Sequence, residues 1–244
     1  MPNPQILGSV TAAEMAEVDR TLEQRIGIPL VASIERVAGV LSAFVRTVLP
    51  ASAHRVLVLV GMGYNGADAL ATARQLASWG NEVVALLDHA RDELKPLTQQ
   101  QLVLAEQFGV RIFEPGALLP DTDLILDGLI GYGLSGTTLA EPTRELILAS
   151  AKYDVPHIAI DIPSGINATT GRATTPAFRA DTTLTLAYPK TGLTKLYSPP
   201  LVGKLLVVDA GIPPRWWQRL NQPTPDFSKT PLIEVEYPPA KVVQ

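Results

Sequence analysis

The chain of 244 residues has no cysteine. Disulfides, thiolate metal sites and cysteine nucleophiles are therefore excluded, and a reducing, cytoplasmic compartment suits the composition. Basic blocks are missing too: the formal net charge is −4, and Lys and Arg cluster nowhere. A surface that tracks phosphates needs such clusters, so no nucleic-acid partner is expected. Long hydrophobic runs are lacking. VLVLVGMG is among the longest and falls far short of the roughly 18 residues of a spanning helix, so no membrane partner is expected. The opening MPNPQILGSVTAAEM lacks the basic-then-apolar pattern of a secretory leader.

What is present is an ordinary core-forming composition, 46% hydrophobic and 18% charged. Thr11 and Glu14 have capping-box spacing and open a helix that Gly27 stops. Pro29 suits the first turn of a second helix, which runs to the Pro50 break. An alternation follows. RVLVLVG (55–61) is a continuous β-branched run, typical of a strand covered on both faces. ADALATARQLASWG is a helix, NEVVALLD (81–88) a strand and 92–108 a helix. DLILDGLIG (123–131), residues 143–154 and HIAIDIPSG (157–165) repeat strand, helix, strand, and DTTLTLAY (181–188) and KLLVVDAG (204–211) close the series. Strands alternating with helices imply parallel pairing through right-handed crossovers. The expected fold is α/β: a three-layer, doubly wound, Rossmann-like, mostly parallel sheet with helices on both faces. Residues 1–213 form the domain. Residues 214–244 read as a proline-rich, aperiodic tail, anchored by Trp216 and Trp217 on this chain or at a subunit interface.

Ligands of open α/β sheets bind beyond the carboxyl ends of strands, where strand order reverses. Gly61-Met62-Gly63-Tyr64-Asn65-Gly66, Asp127 with Gly131-Tyr132-Gly133, and Asp161-Ile162-Pro163-Ser164-Gly165 all follow such ends. His54 and His157 precede their strands and lie at the wrong edge; His89 could reach the rim. None forms a metal-binding pair. The first loop is a G-x-G-x-x-G, with Asp88 about 20 residues on, which by itself points to a nicotinamide-dependent oxidoreductase. Two features weigh against that. More than fifty residues precede the first strand, and Tyr188-Pro-Lys190 lacks Tyr-x-x-x-Lys spacing. Asn65 is also a candidate N-cap. Asp127 after an apolar strand needs a partner or a cation. In most proteins Lys190 would be a solvated loop lysine.

The ordered motifs GMGYNGADALATAR, LILDGLIGYGLSG, IAIDIPSGINATTG, ADTTLTLAYPKTGL and GKLLVVDAGIP resemble the YjeF N-terminal domain family, the NAD(P)HX epimerases, over about Glu14 to Pro213. That resemblance implies NADHX or NADPHX as substrate, cofactors hydrated at C6 whose R and S forms the family interconverts for a separate dehydratase. It also implies a homodimer and a potassium ion. By motif position, Asn65, Asp127 and Ser164 would hold potassium, with oxygen donors that suit a hard cation. Tyr64, Asn65, Gly66, Ala67 and Asp68, with the loop Gly131, Tyr132, Gly133, Leu134, Ser135, Gly136 and Thr137, would contact the dinucleotide. Asp161 would face the hydrated ring as general acid and base, and Lys190 would steer phosphates or tune Asp161. The apolar faces of the two N-terminal helices would serve the dimer. With about thirty residues after the last strand, no fused dehydratase is expected.

Departures from the family pattern gather at the first loop. Tyr64-Asn65-Gly66-Ala67-Asp68-Ala69 stands where Asn-Asn-Gly-Gly-Asp-Gly is usual, and Arg36 where an amide is usual. A phenol could stack on a base. Each alanine methyl could intrude on a ligand, while favouring helix by up to about 1 kcal/mol. The alternative is a non-catalytic nucleotide-binding module of the same fold; the oxidoreductase is the second.

Overall fold

Val56, Val58 and Val60 face one side of a strand and Leu57 and Leu59 the other, and all five are buried. That burial on both faces is what the continuous apolar run demands, and it sets the architecture. The computed structural model describes residues 3–50, 52–195 and 199–235. In chain order the elements are β1 (Asn3–Gln5), α1 (Ala12–Thr21), α2 (Leu30–Val48), β2 (Arg55–Val60), α3 (Tyr64–Ser78), β3 (Glu82–Leu87), α4 (Pro96–Gln107) and β4 (Arg111–Phe113). Then come β5 (Leu124–Gly128), α5 (Glu141–Ser150), β6 (His157–Ile160), β7 (Thr182–Leu186), the short α6 (Pro199–Val202), β8 (Lys204–Val208), α7 (Pro214–Arg219) and β9 (Leu232–Val235).

The strands form one sheet in the order β1-β9-β8-β7-β6-β5-β2-β3-β4. Every pairing is parallel except β8 with β9. Side chains of α2, α3 and α4 cover the Val56 face, and those of α5 cover the Leu57 face. This is the expected doubly wound α/β fold. From β2 the chain winds outward through β3 and β4, then crosses back to β5 and winds the other way. The reversal opens a crevice between the carboxyl ends of β2 and β5. Among the described residues no helix is long and apolar enough to cross a membrane.

Local chemistry explains the helix starts. Thr11 Oγ1 accepts from Glu14 N at 3.2 Å, and Glu14 Oε2 accepts from Thr11 N at 2.7 Å. This reciprocal cap contributes about 1 kcal/mol. The helix widens into a π-helical turn, Leu22–Ile26, and stops at Gly27, whose φ of +81° is cheap only for glycine. Pro29 is the N-cap of α2, one position before the expected first turn.

Several expectations need correction. The stretch after Pro213 is not aperiodic as far as it is described. Its α7 buries Trp217, which stacks on Tyr188 with ring centroids 4.6 Å apart, and β9 enters the sheet between β8 and β1. Trp217 thus anchors on its own chain; residues 236–244 lie outside the described residues. The three-residue strands β1 and β4 were not anticipated. The apolar faces of α1 and α2 are not free for a partner: Met15, Val18, Val37, Leu41 and Val45 lie in the chain's own core.

Candidate active site

The glycine turn after β2 packs with almost no clearance. A Cβ at Gly61 would lie 1.8 Å from Leu129 O, and one at Gly66 would lie 1.9 Å from Gly61 O. These glycines let α3 start directly against the exit of β5, whereas Gly63 faces open space. Gly63 is also the N-cap of α3, so Asn65 is not the cap but a first-turn residue. Its side chain is therefore released from capping. Both polar atoms of that side chain are buried and have no hydrogen-bond partner among the described residues.

A cavity of about 530 Å³ occupies the crevice, a size that suits a small-molecule or cofactor ligand. Of the expected substrate contacts, Tyr64, Asn65, Asp68, Gly131, Tyr132, Gly133, Leu134, Ser135 and Asp161 line it. Gly66, Ala67, Gly136 and Thr137 do not. Gly66 abuts Gly61, and Ala67 is buried with Ile34, Ala38 and Ala71. Gly136 and Thr137 are exposed residues of the loop.

Asp161 follows β6 with φ of +65°, a left-handed conformation costing a non-glycine residue on the order of 1–3 kcal/mol. Its surroundings over-determine it. Oδ1 receives the Lys190 ammonium, Leu186 N at 3.2 Å and Thr185 Oγ1 at 3.4 Å. Oδ2 receives Tyr132 N at 3.2 Å and would lie 3.0 Å from a Cβ on Gly131, whose flank Asn65 Oδ1 shares at 3.4 Å. Lys190 is not solvated: it is 1% exposed, and Nζ also donates to Leu186 O at 2.6 Å. Its backbone is bridged to Val10, so the N-terminal segment helps to seat it.

Sequence reasoning missed Asp19. It lines the cavity from α1, and its Oδ2 accepts from Tyr132 Oη at 2.6 Å. Burial raises its pKa, a shift that the Tyr132 bond and Lys190 oppose and Asp161 adds to. The available signal was periodicity: Asp19 stands four residues after Met15, on the buried stripe of the helix. Burial also holds the Asp68 carboxyl well above the usual carboxylate range, and Asp161 and Asp19 push it further.

Asp127 is not beyond its strand but within β5, fully buried. It accepts from Ser164 N at 2.8 Å, Ser164 Oγ at 2.7 Å and Leu129 N at 3.1 Å. Burial nevertheless pushes its pKa up to about 6 against those bonds. Ser164 Oγ also accepts from Ile130 N at 2.9 Å. Asp127 and Ser164 thus stand behind the cavity wall, while Asn65 opens onto it. Asp88, the acid a dinucleotide reader would turn to a ribose, is 2% exposed and bound to Thr143 Oγ1 at 2.7 Å and His89 Nδ1 at 2.6 Å.

The departures from the family pattern are less intrusive than their positions suggested. Arg36 lies outside the cavity, paired with Asp209 and 52% exposed. Ala67 and Ala69 are fully buried and aimed away from the ligand space, Ala69 into the gap left by Gly128. Only Tyr64 faces the cavity, with Lys95 Nζ 4.7 Å from its ring centre.

The model of the family described as YjeF-related protein N-terminus matches residues 31–192, which takes in α2 and everything on to Lys190. The chain belongs to that family. A Leuconostoc citreum relative, named NAD(P)H-hydrate epimerase, is 38% identical over 83% of this chain and 90% of its own length. A Dehalogenimonas lykanthroporepellens relative of the same name is 38% identical over 88% of this chain and 86% of its own. A Thermosynechococcus vestitus protein, named bifunctional NAD(P)H-hydrate repair enzyme, is 36% identical over 86% of this chain but only 41% of its own length. The crystal structure of yeast ynu0 superposes with a TM-score of 0.81, covering 93% of this chain and 100% of that one; at 22% identity it speaks for the fold alone. In this YjeF-related chain, Asp68, Asp161 and Lys190 lie inside the matched stretch and Asp19 outside it.

Proposed function

We infer that the chain is an NAD(P)H-hydrate epimerase, an isomerase interconverting the R and S forms of hydrated NADH and NADPH. Relatives of that name align over most of both chains, and the cavity at the strand switch point ends on the Asp161–Lys190 pair. That buried pair is the observation that carries the reading, because the reaction needs a positioned carboxyl.

C6 of the substrate bears a hydroxyl beside a ring nitrogen. The nitrogen lone pair expels the hydroxyl as water, leaving an iminium, and water returns to the opposite face. Asp161 Oδ2, the less encumbered oxygen, transfers a proton at C6, and such a transfer contributes roughly 10²–10⁴ in rate. Lys190 and the Leu186 and Tyr132 amides hold the carboxyl in place. Tyr64, half exposed at the mouth, offers a ring face for stacking. The loop 131–135 encloses the substrate, drawing on Asp19 for its position through Tyr132.

Asn65, Asp127 and Ser164 are the residues we assign to potassium. The unpartnered amide oxygen of Asn65 and the buried carboxylate of Asp127 fit a hard monovalent cation. When bound, the ion supplies a fixed positive charge beside the turn. We propose further that the protein works as a homodimer and hands its product to a dehydratase. The bifunctional relative, in which this family's sequence is part of a longer repair enzyme, supports that pairing. A direct test supplies an NADPHX epimer mixture together with an S-specific dehydratase. Complete consumption faster than the spontaneous rate supports the epimerase; a leftover R form at the uncatalysed rate supports a binding module.

A further inference from the structure

Inversion at C6 requires water to leave from one face of the ring and return on the other. Asp161 is badly placed to serve both. Its backbone is held at φ +65°, and Oδ1 is fixed by Lys190, Leu186 N and Thr185. A carboxyl so anchored cannot swing across a nicotinamide ring within a turnover, so the second face needs its own proton carrier.

Asp68 is a cavity carboxyl the mechanism has left unused and, unlike Asp88, it has no side-chain donor among the described residues. It is 7% exposed and lines the same cavity, and no described residue donates a hydrogen bond to its side chain. It stands three residues after Asn65, one helical turn along the face of α3 that borders the cavity. Asp19 from α1, Asp161 after β6 and Lys190 after β7 are the charged groups that act on it. Its oxygens are not among the fully buried side-chain atoms left without a partner, so the carboxyl is open to the cavity rather than sealed in the core.

We propose that Asp68 is a second catalytic proton-transfer residue, serving the ring face opposite Asp161. The proposal rests on the epimerase reading. In one direction the neutral Asp68 carboxyl gives its proton to the C6 hydroxyl. The C6–O bond breaks, water departs, and the N1 lone pair becomes the second bond of N1=C6. A water on the Asp161 side then forms the new C6–O bond, the C=N pair returns to N1, and Asp161 takes the proton released by that water. One proton has moved from Asp68 to Asp161. The reverse reaction restores it, as does exchange with solvent, and nothing is oxidised or reduced. Burial, with Asp161 and Asp19 nearby, favours the protonated form of Asp68 that this scheme uses, and Lys190 opposes it.

Asp68→Asn keeps the side chain's shape and removes its proton. With purified R and S NADPHX, the variant should lose about 10²–10⁴-fold in kcat in both directions. It should bind NADPH as the wild type does and lose the alkaline fall in rate that marks deprotonation of Asp68. Asp68→Glu should recover part of the rate and of that alkaline limb, which a purely structural role would not produce. A wild-type kcat in Asp68→Asn, or a defect confined to NADPH affinity, overturns the assignment and leaves the epimerase reading standing. A wild-type protein that does not speed interconversion overturns both.

Discussion

The ammonium of Lys190 and the carboxylate of Asp161 meet where bulk water reaches neither, at 1% and 4% exposure. Removing one member of such a pair strands the other. Lys190→Met should therefore destabilise the fold by about 3–5 kcal/mol in urea unfolding, with activity falling as Asp161 loses its anchor. The double change Lys190→Met with Asp161→Asn should cost less than the two single changes added together. Strict additivity would show that the pair is not energetically coupled.

Tyr132 and Asp19 latch the loop after β5 to α1 through a 2.6 Å bond. Tyr132→Phe removes the donor and leaves a partly buried acid short of a partner, at a cost of about 1–3 kcal/mol. The substrate KM should rise because the loop is no longer held over the cavity. Asp19→Asn can still accept the phenol hydrogen and should be milder on both counts. The readouts are thermal unfolding and steady-state kinetics.

The three glycines of the first turn should not behave alike. Gly61→Ala and Gly66→Ala place a methyl less than 2 Å from backbone oxygen, so each should destabilise by at least the 1–3 kcal/mol typical of overpacking. Gly63→Ala meets open space at a φ of −90° and should leave the melting temperature nearly unchanged. Equal losses at all three positions would refute packing as the reason for Gly61 and Gly66.

Burial lifts Asp127 from an ordinary 3.8 to about 6, so the folded chain holds this proton more tightly than the unfolded one. Its contribution to stability is therefore complete below about pH 4 and is lost as pH rises through 6, on the order of 3 kcal/mol. A cation at Asp127 and Asn65 favours the ionised form and opposes that loss. Potassium should then raise the melting temperature more above pH 7 than at pH 5, relative to tetramethylammonium, and Asn65→Leu should abolish the effect. A potassium effect that is the same at both pH values would contradict the assigned site.

Much of this was legible in the chain because the central strands announce themselves. β2, β3 and β5 are unbroken apolar runs, and such runs have few uses other than a covered parallel sheet. The edges were not legible. β1, β4 and β9 span only three or four residues, and their pairing depends on a neighbour distant in sequence. Helix phase also carried more than was drawn from it. At 100° per residue, Ala67 must point away from the side on which Asn65 and Asp68 lie, so its methyl was never a threat to the ligand. Lys190 could not be recognised as buried, because its seat is built by Val10 and Asp161, far away in the chain.

The central claim is that Asp161, fixed by Lys190 at the switch-point cavity, transfers the proton at C6. The most direct measurement is the initial rate of R-to-S conversion of purified NADPHX by Asp161→Asn, with NADPH affinity measured on the same sample. The account predicts intact binding and a rate lower by about 10²–10⁴-fold. A variant that binds NADPH and epimerises as fast as the wild type would contradict it.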